Sequence, residues 1–513
     1  MGSSRILFSS LLLLFFTTWL PVSAQSDSSL QIESEVTRTD VEFNIRFLAA
    51  DEFLGRDTGT QELDIAARYI ATWFEMHGAR PADGYSSFYQ DVPLQISSSP
   101  EGILFSVPDT TFVIGRDLIA INDFRGSREA SLIVLDYATE QELEEHDVEG
   151  KIVLTAAGMP GQVSPQQFFG AGAAKRARVA EAGAVGLIEI YATPALPWQV
   201  LVNFLSGDRL QLADEEAETD PSSPLPHLWI NGNPAGTKEL LTNLTGEMAE
   251  VTVSGPGTSR ITSRNVIGVI QGSDPELQNE FVMLGAHYDH VGVMPNHPEP
   301  ITSEFIFNGA RDNAVGTAGI LAAARYLGKH PPRRSVLLAA WTAEEKGLLG
   351  SRYYAEHPMV PLHQTVYHLN IDGAGYNDTT KVTVIGLGRT EADEKLQAAA
   401  EAFGLTAIPD PVPEQNLFNR SDNASLARKG IPAPTYSMGL TAFDDEINYY
   451  YHQTSDHPDS LDYDYITRYI RSFVYAAYRI GNADQAPFWL PGDEYEEAGL
   501  ELFGMEIDYS PKN

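Results

Sequence analysis

Two histidines and three carboxylates, far apart in the chain, have the types and settings of a two-metal site. His287 stands in GAHYDHVG, Asp312 in GARDNAVG, Glu345 in WTAEEKGLLGS, Asp372 in LNIDGAG and His452 in YYYHQTSDHP. Imidazole nitrogen and carboxylate oxygen are zinc donors, and catalytic zinc sites keep a position open for water. Two divalent ions bring four positive charges. Asp312, Glu345 and Asp372 return three negative charges, and a bridging hydroxide balances the sum. Without cations, three convergent carboxylates would repel one another. Glu344, beside Glu345, has a separate use: one carboxylate binds metal while its neighbour moves protons, because a general base must lie near the attacking water without being a ligand. Each residue alone has an ordinary structural use, and His290 beside His287 is not counted as a ligand. The weight lies in five positions in order, each expected at the end of an apolar strand. That constellation points to a hydrolase.

The elements that must position these residues follow from periodicity. Short apolar runs predict strands over 265–270, 281–286, 335–341, 366–371 and 381–387, and helical spacing predicts helices over 317–327, 391–403 and 464–480. Apolar strands alternating with helices imply an α/β sheet covered on both faces. Sites in such sheets gather at strand ends; His287, Glu344, Glu345 and Asp372 each follow a predicted strand. Upstream, residues 61–77 have an amphipathic helical pattern with Thr60 as N-cap and Gly78 as stop, and FYQDVPLQI reads as a strand.

Residues 100–258 read as a separate domain with its own small sheet. Strands are expected over 132–137, 151–155 and 185–191, with a helix over 167–182. Its borders, SSSPEG and SGPGTSR, are linker-like, and GDRLQLADEEAETDPSSP reads as an acidic loop. The expected organisation is a signal peptide over 1–24, the first part of the main domain over 25–99, the insert over 100–258, the metal-binding part over 259–485 and an acidic tail over 486–513. SDSS after the leader reads as a polar linker, and the tail is assigned no chemistry.

The chain has 513 residues, 34 basic and 70 acidic, giving a formal charge of −36. That balance argues against nucleic acid and anionic membranes as partners, since both demand a basic face. Arg5, the apolar run around LLLLFF and Val22-Ser23-Ala24 form a secretory leader. It implies an exported protein, secreted or periplasmic, without stable membrane insertion after cleavage. No cysteine is present, so disulfides and thiolate metal sites are excluded.

The five ligand segments, together with RSDNASLARKGIPAP and FLAADEFLGRDTGTQELDIAARYIATWFEMHGARP, resemble the M28 family of zinc peptidases, which includes bacterial secreted aminopeptidases. VEGKIVLTAAG and KRARVAEAGAVGLIEIYA resemble a protease-associated (PA) domain. The resemblance implies a zinc exopeptidase fold, a mixed central sheet flanked by helices with a smaller β-rich insert. It implies two zinc ions, with Asp312 bridging them, His287 and Asp372 completing one, and Glu345 and His452 the other. Glu344 would be general base, Asp289 would orient His287 by a hydrogen bond, and Tyr451 would donate to the oxyanion, with Tyr449 and Tyr450 as alternatives. The implied reaction removes N-terminal residues from peptides by attack of a metal-bridging hydroxide. Alternatives are a carboxypeptidase, with Arg311 as the cation for a substrate carboxylate, a glutaminyl cyclase using one zinc, and a non-catalytic binding relative. Family members often carry an acid where this chain has Arg311.

Overall fold

A computed structural model of the chain describes residues 25–160, 165–192, 197–205, 207–213, 225–295 and 297–505; the expected leader over 1–24 lies outside the described residues. The main sheet has nine strands: β1 (Tyr89–Ser97), β2 (Arg209–Leu212), β3 (Thr258–Ile270), β4 (Phe281–His287), β5 (Ser335–Trp341), β6 (Thr365–Ile371), β7 (Lys381–Ile385), β8 (Thr406–Pro409) and β9 (Thr435–Met438). Their order across the sheet is β8-β7-β9-β6-β4-β5-β3-β1-β2. β4 runs parallel to both β5 and β6, with Val282 opposite Val336 and Tyr367. The outer pairs β1–β3, β3–β5 and β7–β9 are antiparallel. The result is the mixed sheet flanked by helices that the sequence implies.

The central strands are buried almost throughout, which requires cover on both faces. One face carries the helices Gln61–Met76, Val315–Lys329 and Tyr463–Gly481, whose apolar stripes join a single core. Thr60 caps the first of them, its hydroxyl accepting from the Leu63 amide at 3.3 Å. The second helix lies very close to β6. A Cβ on Gly316 would collide with the Ile371 carbonyl and the Asn313 side chain, so the absent side chain lets the helix seat beside the strand that precedes Asp372. The opposite face is covered by Leu349–Glu356 and Asn423–Ala427, around Trp341, Tyr354 and Trp489.

Residues between β1 and β3 build a second, eight-stranded mixed sheet, with Gly126–Val134, Ile152–Ala156, Gly186–Tyr191 and His227–Asn231 as parallel neighbours at its middle. It has its own apolar core and a buried polar knot. Lys175 Nζ lies 2.6 Å from Glu189 Oε1, while Glu189 Oε2 pairs with His227 Nε2 at 2.8 Å and accepts from Trp229 Nε1 at 2.7 Å. Burial would raise the carboxyl, but His227 and Lys175 outweigh it and hold Glu189 below its usual range.

Two expectations are corrected. The stretch read as an acidic loop contains β2, which pairs with β1 through Leu94–Leu212 and Ile96–Leu210 and so lies in the main sheet. Its period-two pattern is only four residues long and is masked by the acidic run behind it. SDSS lies in a helix, Gln25–Glu35, anchored by the buried Ile32. The described part of the tail is packed: Trp489 is buried and donates to the Gly430 carbonyl at 2.9 Å. Among the described residues no helix is long and apolar enough to cross a membrane.

Candidate metal centre

His287 is the last residue of β4, and Asp372 directly follows β6. Glu344 and Glu345 follow β5 after a turn in which Ala343 takes a left-handed φ of 55°. Asp312 and His452 depart from the expected strand-end placement. Asp312 sits in a π-turn, Ala310–Ala314, that feeds the helix Val315–Lys329. His452 follows the short helix Asp445–Tyr450 with φ 53°. Gly309, at φ 59°, opens the Asp312 turn; a Cβ there would collide with the His290 ring and the Asp312 carbonyl, so glycine is required.

All five side chains converge. Asp312 Oδ1 and Asp372 Oδ1 each lie 3.2 Å from His287 Nε2. Asp312 Oδ2 lies 3.1 Å from His452 Nε2, which is 3.0 Å from Glu345 Oε2. The two oxygens of Asp312 thus face two different donor groups. Two donors of one tetrahedral zinc ion, each about 2 Å from it, stand roughly 3.3 Å apart, so the spacing and donor chemistry fit a pair of such ions.

The electrostatics ask for cations. Burial disfavours a charged ring at His287, yet Asp372, Glu344 and Asp312 raise its pKa well above the imidazole range. Burial likewise opposes charge on His452, and Asp312 and Glu345 push it up to about 10. Burial raises Glu345, but hydrogen bonds from His290 and His452 bring it down to about 2. In both rings a proton supplies the positive charge the carboxylates demand, and a metal ion bound by the same nitrogens would displace it.

A layer of buried groups fixes these ligands. The Asp289 carboxylate accepts the backbone amides of Glu344 at 3.1 Å and Glu345 at 3.3 Å. His287 Nδ1 donates to the Asp289 carbonyl at 3.2 Å rather than to the expected side chain, whose carboxylate is 3.9 Å away. Burial raises Asp289 to about 6. Ser421 donates to Asp372 Oδ2 and accepts from Asn370 Nδ2 at 2.8 Å.

Beside Ser421 and Asn370, three more residues of this layer were not identified from sequence as parts of the site. Arg56, fully buried, donates to the carbonyls of Tyr288 at 2.9 Å, Asn308 at 2.7 Å and Gly309 at 3.0 Å. It therefore ties the His287 loop to the Asp312 loop. Burial lowers it to about 10, against the attraction of Asp289 and Asp312. Its only signal in the chain is its place in FLGRDTG. His290, not counted as a ligand, places Nδ1 2.6 Å from Glu345 Oε1. Asp456 accepts the amides of Arg311 and Asp312, at 2.9 and 3.3 Å, and pairs with the Arg311 guanidinium at 3.0 Å.

That pair corrects the reading of Arg311 as a cation for substrate. Its guanidinium is buried, bonded to Asp456 and to Ser460 Oγ at 2.7 Å, and covered by the Tyr450 ring at 3.5 Å. The same packing separates the three tyrosines: Tyr450 covers Arg311, Tyr449 is 62% exposed, and Tyr451 lines the cavity over the carboxylates. Burial keeps the Tyr451 phenol protonated, raising it well above its ordinary value. The Glu344 carboxyl lines the same cavity and is raised well above the carboxylate range by burial and by Asp372, Asp422 and Glu345, against the pull of His287. Ile385, Leu417, Leu440 and Phe443 give the cavity an apolar wall.

A mixed sheet with an imidazole–carboxylate cluster at its loop edge is the arrangement of a metal-dependent hydrolase. Residues 265–477, which hold all five clustered residues, match the family model described as Peptidase family M28. It is 37% identical over 188 residues to leucine aminopeptidase 2 of Trichophyton equinum, a match covering 34% of this chain and 33% of that protein. It is 26% identical over 215 residues to the aminopeptidase YwaD of Bacillus subtilis, covering 41% and 43%. The first of these matches thus spans about a third of the relative's length. A solved aminopeptidase from Aneurinibacillus sp. strain AM-1 shares the fold, with a TM-score of 0.50 and 21% identity over 88% of this chain and 95% of that one.

Proposed function

We propose that this protein is an exported aminopeptidase that binds two zinc ions and removes N-terminal residues from peptides. The observation that carries the reading is the split of Asp312, one oxygen toward His287 and Asp372, the other toward His452 and Glu345. His287 and Asp372 would hold one ion, Glu345 and His452 the other, and Asp312 both. When bound, the ions supply a water acidic enough to ionise near neutral pH and polarise the scissile carbonyl.

The chain's own groups do the rest. Glu344, which lines the same cavity and whose raised carboxyl the bound cations would bring back down, would take a proton from such a water and return it to the leaving amine. Tyr451, kept protonated by burial, donates to the oxygen that develops charge. Asp289 and Arg56 hold the loops carrying Glu344, Glu345, His287 and Asp312, so these groups need little reorganisation during reaction. The apolar wall of Ile385, Leu417, Leu440 and Phe443 suits an aliphatic or aromatic first side chain. The buried, paired state of Arg311 weighs against a carboxypeptidase built on that residue. The insert is read as a PA-like domain bordering the peptidase sheet. Export rests on the N-terminal sequence.

The test is hydrolysis of leucyl p-nitroanilide beside its N-acetylated form. Cleavage of the free amine alone supports the reading; cleavage of the blocked substrate alone, or of neither, would sink it.

A further inference from the structure

A second, more open cleft of about 540 Å³ leads away from the proposed centre, with Glu344, Glu345 and Tyr451 at its inner end and Arg352, Arg420 and Arg428 along its walls. The three arginines are exposed. None of them forms an ion pair with an acid among the described residues, whereas Arg38, Arg46, Arg264, Arg333, Arg334 and Arg389 all do. Three guanidiniums without a direct acid partner thus face one cleft, beside the Glu344 and Glu345 carboxylates at its inner end, in a chain with 70 acidic and 34 basic residues. Arg420 reaches inward, with Nη2 donating to the Tyr451 hydroxyl at 3.3 Å. The cleft is therefore continuous with the reacting groups.

The two cavities differ in chemistry. The one with the apolar wall suits the side chain of the first residue. A peptide held there across Glu344 and Tyr451 must send its remaining residues elsewhere, and the arginine cleft leaves from those same two side chains. Guanidinium recognises carboxylate well because its planar fork matches the two oxygens.

Resting on the aminopeptidase reading, we propose that this cleft binds a substrate carboxylate on the leaving-group side of the scissile bond. The carboxylate is the C-terminus of a short peptide or an acidic side chain following the cleaved bond. The enzyme is thereby tuned to short or acidic peptides over long neutral ones.

The experiment compares kcat and KM for Leu-Gly-Gly with a free and an amidated C-terminus, and for Leu-Glu and Leu-Gln, both amidated. Wild type is set beside the Arg352→Gln/Arg428→Gln double variant. Arg420 is left intact because it touches Tyr451. Two exposed charge contacts amount to about a tenfold preference, expressed in KM and weakened by salt. The double variant is expected to lose that preference while leucyl p-nitroanilide turnover is unchanged. Preference for the free acid alone identifies the C-terminus as the ligand, and preference for Leu-Glu alone identifies the side chain. Equal KM across each pair in wild type, or an equal loss on every substrate in the variant, would overturn the proposal while the aminopeptidase reading stands. Cleavage of N-acetyl-Leu-Gly with no turnover of leucyl p-nitroanilide would overturn both.

Discussion

Asp312 presents one carboxylate oxygen, at 3.1 Å, to His452 and turns the other away toward His287. The two histidines are separated by most of the main domain's sequence, so the convergence is a product of the fold. Asp312→Ala removes the only side chain common to both donor groups. Metal content, measured by mass spectrometry on protein purified with zinc, is expected to fall from about two ions per chain to near zero. Retention of both ions would remove Asp312 as the bridge.

Glu344→Gln keeps shape but abolishes the proton acceptor. Metal content should be unchanged, and kcat should fall by about 10²- to 10⁴-fold, the usual contribution of a general base. A variant with near-normal kcat would transfer that role to another group.

Arg56→Met takes a buried cation away from the carbonyls of Tyr288, Asn308 and Gly309. Those acceptors lose their partner while desolvated, so unfolding in denaturant should show a loss of roughly 3 kcal/mol or more. Zinc affinity should drop with it, since both metal-bearing loops are released. Unchanged zinc affinity would separate Arg56 from the site.

How much of this was legible in the sequence varies with the range over which each residue acts. His287 and Asp372 end buried apolar strands and could be placed from periodicity alone. Asp312 and His452 lie in a π-turn and after a short helix, so only their motifs marked them. Arg56 looked like any charged residue of a polar segment. Apart from the nearby Leu48 carbonyl, its partners are 232 and more positions away, and no local pattern encodes that. Arg311 misled for the same reason: charge suggests a substrate contact, and only tertiary packing shows it enclosed between Asp456 and Tyr450. The edge strand β2 was missed because four residues of alternation adjoin an acidic run.

Acid stability should carry the mark of His368, a buried ring on β6 with no hydrogen-bond partner among the described residues. Burial alone lowers it from 6.5 to about 3. Above pH 6.5 the ring is neutral in both states and its contribution is fully present. As pH falls from 6.5 toward 3, the unfolded chain takes a proton that the folded chain refuses, and stability is lost. His368→Leu should therefore show a pH slope of stability smaller by about one proton in that window. Parallel curves for variant and wild type would show that the folded ring titrates normally.

Zinc titration of chelated, metal-free protein, followed by leucyl p-nitroanilide turnover, addresses the central claim most directly. The account expects no turnover at the start and full recovery only as the second equivalent is bound. Saturation at one equivalent, or activity that survives complete chelation, would contradict it.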